Sequence, residues 1–276
     1  MERTIFIINP VAGKGAAERF KEKLSGEEVY LTKYPHHATE IVKDLARSGE
    51  KFTVYAVGGD GTLNEVICGI DGNPNITCGI IPAGTGNDFY KTLETMPKGE
   101  VFDMDLIETS EGKFGLNICS VGFDSDVAAG MRKFKWAGKG KLPYFLSLLN
   151  RLIKPVYKEY EVTIDGKNYD GEYSMITVCN GTTYGGGFIA CPDAVPNDGK
   201  LEILLTKGIT RIKLFSIIKR YSSGRYKELS DVITHVQGKD ITIKHKEGCN
   251  FNADGEMVFK DCGRFFLSQK KVKVIH

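Results

Sequence analysis

Gly58-Gly59-Asp60-Gly61-Thr62 sits directly after the apolar run 52–57 and directly before a run with helical spacing, and no other stretch restricts the folds open to this chain so tightly. Glycines allow positive φ and close backbone approach, so successive N–H groups at a strand-to-helix turn can converge on phosphate oxygens at a helix N-terminus. An aspartate inside such a loop repels a bare phosphate, so Asp60 makes chemical sense beside a hydrated Mg²⁺ that bridges phosphates. The pattern recurs. Pro82-Ala83-Gly84-Thr85-Gly86-Asn87-Asp88 follows the run 78–81, and Asn9-Pro10-Val11-Ala12-Gly13-Lys14-Gly15 follows the run 4–8. Taken singly, each is an ordinary strand-to-helix turn. Three at strand ends of one parallel sheet line one crevice at its carboxyl edge, where ligands of open α/β folds bind.

The rest of the chain divides into two textures. Runs 4–8, 29–32, 52–57 and 78–81 read as strands separated by helical patterns, the signature of βα units. Thr39 reads as the cap of a helix carrying Ile41, Val42 and Leu45, and Thr62 with Glu65 as a capping box. From about Phe102 longer alternating runs take over, punctuated by Asp165-Gly166, Asp170-Gly171, Asp198-Gly199 and Asp254-Gly255, which predicts antiparallel strands. Two helices interrupt them, one opening near Pro143 and one over 209–221. The expectation is a Rossmann-like α/β nucleotide domain followed by an antiparallel β-sandwich, 276 residues being comfortable for two domains. Charge splits the same way: residues 1–126 hold 12 Lys+Arg against 20 Asp+Glu, while residues 127–276 hold 25 against 15. We therefore draw the boundary as 1–126 and 127–276, with the extreme C-terminal strand returning to the first domain, and expect an anionic partner for the basic half.

Other classes are disfavoured. No uninterrupted apolar run approaches the roughly 20 residues that span a bilayer, and the opening MERTIFIINP lacks a secretory signal's apolar core, so a cytoplasmic protein is expected. Seven scattered cysteines without a C-x-x-C pair speak against a disulfide framework or a zinc cage and read as reduced, mostly buried thiols. The P-loop and dinucleotide fingerprints are both absent. No nucleic-acid module accompanies the basic segments.

In order along the chain, Asn9-Pro10 with Gly13, the run 58–66 (GGDGTLNEV), PAGTGNDF at 82–89, Gly122-Phe123-Asp124 and Asn252-Ala253-Asp254-Gly255-Glu256 resemble the diacylglycerol kinase catalytic family, over nearly the whole length. The resemblance implies an α/β nucleotide domain plus a β-sandwich, and the transfer of phosphate from ATP to a lipid hydroxyl. It assigns ATP contacts to Asn9, Pro10, Val11, Ala12, Gly13, Thr32, Gly58, Gly59, Asp60, Gly61, Thr62, Leu63, Asn64 and Thr85. It places Asp60, Asp88 and Asp105 around a catalytic Mg²⁺, makes Asp254 and Glu256 the general-base pair, and puts a structural Mg²⁺ or Ca²⁺ at Asp198 with the carbonyls of Val195 and Lys200. Without it, Asp254-Gly255 and Asp198-Gly199 read equally as plain turns, and His36 and His37 carry no assigned chemistry.

Residues 131–141 (MRKFKWAGKGK) mix five basic residues with Phe134 and the only tryptophan, Trp136. Residues 211–221 (RIKLFSIIKRY) mix four with Leu214, Phe215, Ile217 and Ile218. Basic and aromatic residues together suit an anionic membrane surface, although a solvated helix with one core-facing stripe accounts equally well for the second segment. The expected partners are thus a membrane lipid substrate, an anionic bilayer bound peripherally and reversibly, and a second copy of the chain as a candidate homodimer, with no nucleic acid. Two rivals stand beside this reading: an NAD kinase acting on a soluble nucleotide, and a non-catalytic ATP- or lipid-binding regulator. Neither the lipid acceptor nor the choice between Asp254 and Glu256 as base is settled at this level.

Overall fold

The computed structural model describes residues 3–21, 23–138 and 141–276. Strands β1 (Arg3–Ile8), β2 (Glu28–Leu31), β3 (Phe52–Gly58) and β4 (Ile76–Pro82) pair in parallel in the order β2-β1-β3-β4. Parallel neighbours need crossovers, here supplied by α1 (Ala16–Lys21), α2 (His37–Ala46) and α3 (Asp60–Ile70). Both faces of the sheet are covered, which is why its strands read as apolar runs rather than alternations. Ile5, Ile7, Val54 and Cys78 pack with Val42, Val66, Ile67 and Ile70 on one face, and Phe6, Ile8 and Val57 with Ala17 on the other. After β4 come α4 (Asp88–Leu93) and β5 (Phe102–Met104).

The helix starts differ from the local reading. α2 begins at His37, and the Glu65 carboxylate of α3 accepts from His36 N (2.9 Å) and Ala38 N (3.2 Å). Thr39 caps nothing and instead donates to the Glu65 carbonyl at 2.7 Å. Thr62 lies inside α3, whose N-cap is Gly59 with no side-chain cap. The reason is tertiary: α2 and α3 lie side by side, so a glutamate from one satisfies the orphan amides of the other.

The second sheet is antiparallel. Its strands are β6 (Ile107–Thr109), β7 (Phe114–Gly115), β8 (Ile118–Gly122), β9 (Lys158–Ile164), β10 (Lys167–Asn168), β11 (Gly171–Cys179), β14 (Leu201–Lys207), β15 (Ile233–Gly238), β16 (Asp240–Ala253) and β17 (Glu256–Leu267), with a small hairpin, β12 (Thr183–Tyr184) and β13 (Phe188–Ile189), apart from it. The long β16 bulges between Lys244 and Cys249 and pairs with β9 near one end and β8 near the other, which curls the sheet around an apolar core of Val121, Val162, Ile176, Ile203, Ile241 and Phe265. Asp165-Gly166 and Asp254-Gly255 are hairpin turns with positive φ at both residues, as the sequence predicts. Asp170-Gly171 is not: Asp170 Oδ1 accepts from Val162 N at 2.7 Å and Gly171 opens β11. Helices α5 (Phe123–Gly130), α6 (Lys141–Leu152) and α7 (Arg211–Tyr221) lie outside the sheet.

The chain changes sheets at Asp105, upstream of the boundary drawn at 126. The charge contrast that suggested 126 belongs to surface residues, which do not register where strand pairing changes. The final strand, β18 (Val272–Ile275), returns to the first sheet between β4 and β5, parallel to β4, with Val272 and Val274 fully buried.

Candidate active site

The sheet order brings the ends of β1, β3 and β4 side by side, so the three glycine-rich loops share one rim. Their backbones interlock. The Gly58 carbonyl accepts from Ala83 N (2.7 Å) and Gly84 N (3.0 Å). A Cβ on Gly84 would stand 2.5 Å from Gly59 Cα, so both positions need glycine for close approach rather than for conformation. The Asp60 carboxylate holds the second loop in place, Oδ2 accepting from Asp88 N and Oδ1 from Phe89 N, both at 3.0 Å, which caps α4. Asn9 ties in the first loop: its Nδ2 donates to Thr62 Oγ1 (3.2 Å) and its Oδ1 accepts from Val11 N (3.2 Å). Thr32 N reaches the Ile8 carbonyl at 2.9 Å, bringing the end of β2 to the same edge. The N-terminus of α3 carries no side-chain cap, so its first amides are available to an anion.

The rim opens into a cleft of about 820 Å³ between the two sheets, walled by residues from both. Its polar lining is acidic: Asp60, Asp88, Asp124 and Asp254, with Asn117 and Asn252. Asp88 is nearly buried, pairs with Lys91 Nζ (2.8 Å) and accepts from Gly186 N at 2.6 Å, fastening the glycine-rich 185–187 segment to the rim. Asp254 lies at positive φ in the β16–β17 turn, and its carboxylate accepts from Leu116 N, from Asn117 N (3.2 Å), from Ile118 N (3.1 Å) and from Asn64 Nδ2 (3.3 Å). Burial pushes its pKa up to about 6, against the pull of the amides of Leu116, Ile118 and Asn117 and the Asn64 amide. Burial likewise raises Asp124, opposed by hydrogen bonds from Ser120 and Ser125. Its apolar lining comes from Ala128, Met131, Tyr144, Phe145 and Leu148 around α5 and α6, and from Phe188 of β13.

Two expected members of the acidic set lie elsewhere. Asp105 is fully buried, accepts from Gly199 N at 2.7 Å and faces Lys271 Nζ at 2.8 Å, so it ties the domain junction to the 196–199 turn and does not line the cleft. Glu256 is half exposed and pairs with Lys113 at 2.6 Å. The hairpin register sets it opposite Ala253, one residue out of phase with cleft-lining Asn252, so Asp254 turns inward and Glu256 outward. Of the other expected nucleotide contacts, Val11 and Thr85 stand exposed on the rim, and Gly13 lies at positive φ. Asp198 sits in an exposed turn, Oδ1 accepting from Lys200 N at 3.0 Å, with Val195 nearby in sequence and also exposed. Sequence reasoning named no role for Asn117, Asp124, Tyr184, Asn252 or the α6 residues Tyr144, Phe145 and Leu148. Only Asp124 and Asn252 carried a signal, through the motifs that contain them.

Residues 3–113 match the profile of the diacylglycerol kinase catalytic domain, and residues 117–275 that of the YegS C-terminal NAD kinase beta sandwich-like domain. A Staphylococcus haemolyticus protein named "Putative lipid kinase SH2167" is 32% identical over 245 residues, covering 85% of this chain and 78% of that protein. A Staphylococcus aureus protein named "Putative lipid kinase SAS0691" is 31% identical over 214 residues, covering 74% and 70%. The crystal structure described as "a putative diacylglycerol kinase from Bacillus anthracis str. Sterne" superposes with a TM-score of 0.74 at 26% identity, over 100% of this chain and 97% of that one. With the interlocked loops, the acidic cleft and this agreement over both domains, the chain belongs to the diacylglycerol kinase catalytic family, as a member with a YegS-type C-terminal domain.

Proposed function

We propose that the protein is an ATP-dependent lipid kinase that transfers the γ-phosphoryl group of ATP to the hydroxyl of a membrane lipid such as diacylglycerol. The observation that carries this reading is the mixed lining of the cleft, in which Asp60 and Asp88 of the phosphate-loop rim, with Asp124 and Asp254, share one cavity with Ala128, Met131, Phe145, Leu148 and Phe188. Such a cavity suits a ligand that carries both a hydroxyl and hydrocarbon. It suits NAD⁺ poorly, since the apolar lining would bury polar groups without partners. An intact Asp60 and an inward-facing Asp254 also argue against a purely regulatory protein.

The loops bind phosphate through backbone amides, chiefly at the uncapped start of α3. Among the described residues Lys91 is the one ion-pair partner of these carboxylates, a surplus of negative charge that fits a divalent cation, and Asp60 and Asp88 would hold it. A bound Mg²⁺ would neutralise charge on the phosphates as the bond to the leaving oxygen breaks. Asp254 accepts the proton of the attacking hydroxyl while that oxygen bonds to the γ-phosphorus and ADP departs. A carboxylate lifted to about 6 is still ionised at neutral pH and is a stronger base than an ordinary aspartate. Asp198, with one carboxylate oxygen not engaged by Lys200, is the candidate ligand for a structural Mg²⁺ or Ca²⁺.

The cleft is walled in part by α6, whose Leu142, Phe145 and Leu149 are exposed together with Ile153 just beyond its end and Trp136 of the preceding turn. Exposed Ile212 and Phe215 on α7 add to this face, and Arg211 links the helices by donating to the Ile153 carbonyl at 2.7 Å. Among the described residues no helix is long and apolar enough to cross a membrane, so contact with the bilayer is peripheral in this reading. Lys139 and Gly140, part of the first membrane-facing segment, lie outside the described residues. The test is transfer of labelled phosphate from ATP to lipids in mixed micelles, with NAD⁺ as a soluble control. A labelled lipid is expected, absent with Asp60→Ala and with the Asp254→Asn, Glu256→Gln double variant. Label on NAD⁺ alone would transfer the assignment to the nucleotide kinase.

A further inference from the structure

Away from the cleft, the C-terminal domain gathers Cys191, Glu202 and His235, whose thiol, carboxylate and ring nitrogen atoms lie within 4.8 Å of one another. Nothing in the proposed transfer uses them. Glu202 points from β14 into an apolar layer of Cys179, Cys191, Leu204, Tyr226 and Val232 and is only 2% exposed. A carboxylate buried there needs a compensating charge. Gln237 Nε2 donates to its Oε1 at 2.8 Å, but Oε2 faces His235 Nε2.

The hydrogen bonds around His235 assign its protons. Tyr226 OH donates to Asp193, which Lys227 Nζ flanks at 2.8 Å. The Tyr226 oxygen therefore accepts from His235 Nδ1, 3.2 Å away, since its one proton is already committed. In the neutral ring this leaves a bare Nε2 lone pair opposed to a buried carboxylate. A cation must sit between them, either a proton or a metal ion. The Cys191 thiol, completely buried at the same point, is unneeded by a protonated histidine and is a preferred ligand of a borderline-soft ion.

We infer that Cys191, Glu202 and His235 form a zinc-binding site, with Nε2, Sγ and a carboxylate oxygen as ligands. Zinc takes these donors at about 2.0–2.3 Å, so on a tetrahedron they stand roughly 3.5 Å apart; the three atoms lie within 4.8 Å, and His235 Nε2 and Glu202 Oε2, in direct contact without an ion, must part by side-chain rotation to admit one. The His235–Tyr226–Asp193 chain is the outer hydrogen bonding that orients a metal-bound imidazole and fixes its tautomer. The fourth position falls to water, Cys179 Sγ standing outside the cluster of ligand atoms. His235, with its side chain 28% exposed, provides the way in. The ion fastens the segment after β13 to strands β14 and β15, and so braces the same connection that carries Gly186 to the cleft.

The test uses the full chain and the metals alone. Protein purified with zinc in the medium is expected to retain about one equivalent after gel filtration, and chelator treatment to lower its melting temperature by at least about 3 °C. Replacement by Co²⁺ should give the near-ultraviolet thiolate-to-cobalt absorption, lost in Cys191→Ser and in His235→Gln. Cobalt absorption without a thiolate band, or one that survives in Cys191→Ser, would move the metal elsewhere and overturn the assignment. Wild-type protein that retains neither zinc nor cobalt would show that a proton alone joins His235 to Glu202. All these readouts are independent of kinase activity, so they stand apart from the fate of the lipid-kinase reading.

Discussion

Asp254 sits among amides that favour its anion and in a burial that disfavours it, and burial prevails. Its folded-state pKa of about 6 lies above the ordinary 3.8, so between these values the native state binds the proton more tightly than the unfolded chain. The group therefore contributes stability at low pH that is lost as pH rises through the window from about 4 to 6, on the order of 3 kcal/mol in all. Chemical denaturation of wild type and Asp254→Asn across that window is expected to show this decline only in the wild type. In catalysis the sign reverses, because the base must be ionised. The rate of lipid phosphorylation should rise with pH through about 6, and Asp254→Asn should lower kcat by at least about a hundredfold. Glu256 and Lys113 form a pair about half exposed to solvent, so Lys113→Ala should change the unfolding free energy by less than about 1 kcal/mol.

Among the elements, the loops act as one unit because two glycines let their backbones touch. Gly84→Ala would drive a methyl group into Gly59 Cα, a neighbour with no flexible end to yield. Overpacking of this kind costs about 1–3 kcal/mol, and the loops must part to relieve it. Calorimetric titration with a non-hydrolysable ATP analogue and Mg²⁺ should show at least a tenfold weaker affinity. Gly61, in the first turn of α3, has open space around it, and Gly61→Ala should instead stabilise the fold by the roughly 0.5–1 kcal/mol that alanine gains over glycine in a helix, read as a higher melting temperature. On α6, Leu149 is 47% exposed and does not line the cleft. Leu149→Glu is expected to reduce sedimentation with anionic vesicles severalfold at unchanged melting temperature; an undiminished pellet would remove α6 from the membrane face.

At the level of the whole molecule, the first sheet is completed by the last residues of the chain. β18 lies between β4 and β5, and Lys271 just before it meets the buried Asp105. Deleting residues 269–276 would remove Val272 and Val274 from the core and leave β4 with an open edge. Circular dichroism and limited proteolysis should then show the nucleotide domain digested while fragments of the second sheet persist. The two domains are thus linked through both crossings of the chain, and Phe114 and Leu116, from the second side, pack into the first core.

Much of this architecture was legible from local chemistry. Alternation of period two, apolar runs followed by glycine, and Asp-Gly turns act over a few residues, so the parallel sheet, the second β domain and the three phosphate loops could be read directly. What needed the folded chain was long-range. Glu65 caps a helix other than its own, Asp60 caps α4 across a sheet edge, and Asp254 separates from Glu256 because strand register, not proximity along the chain, sets facing. The apolar lining of the cleft was invisible for the same reason: amphipathic spacing in α6 shows that one face is apolar but not whether that face meets core, ligand or bilayer. Cys191, Glu202 and His235 are the extreme case. Ligands drawn from a loop and two strands have no spacing to recognise, and only strand pairing places them at one point.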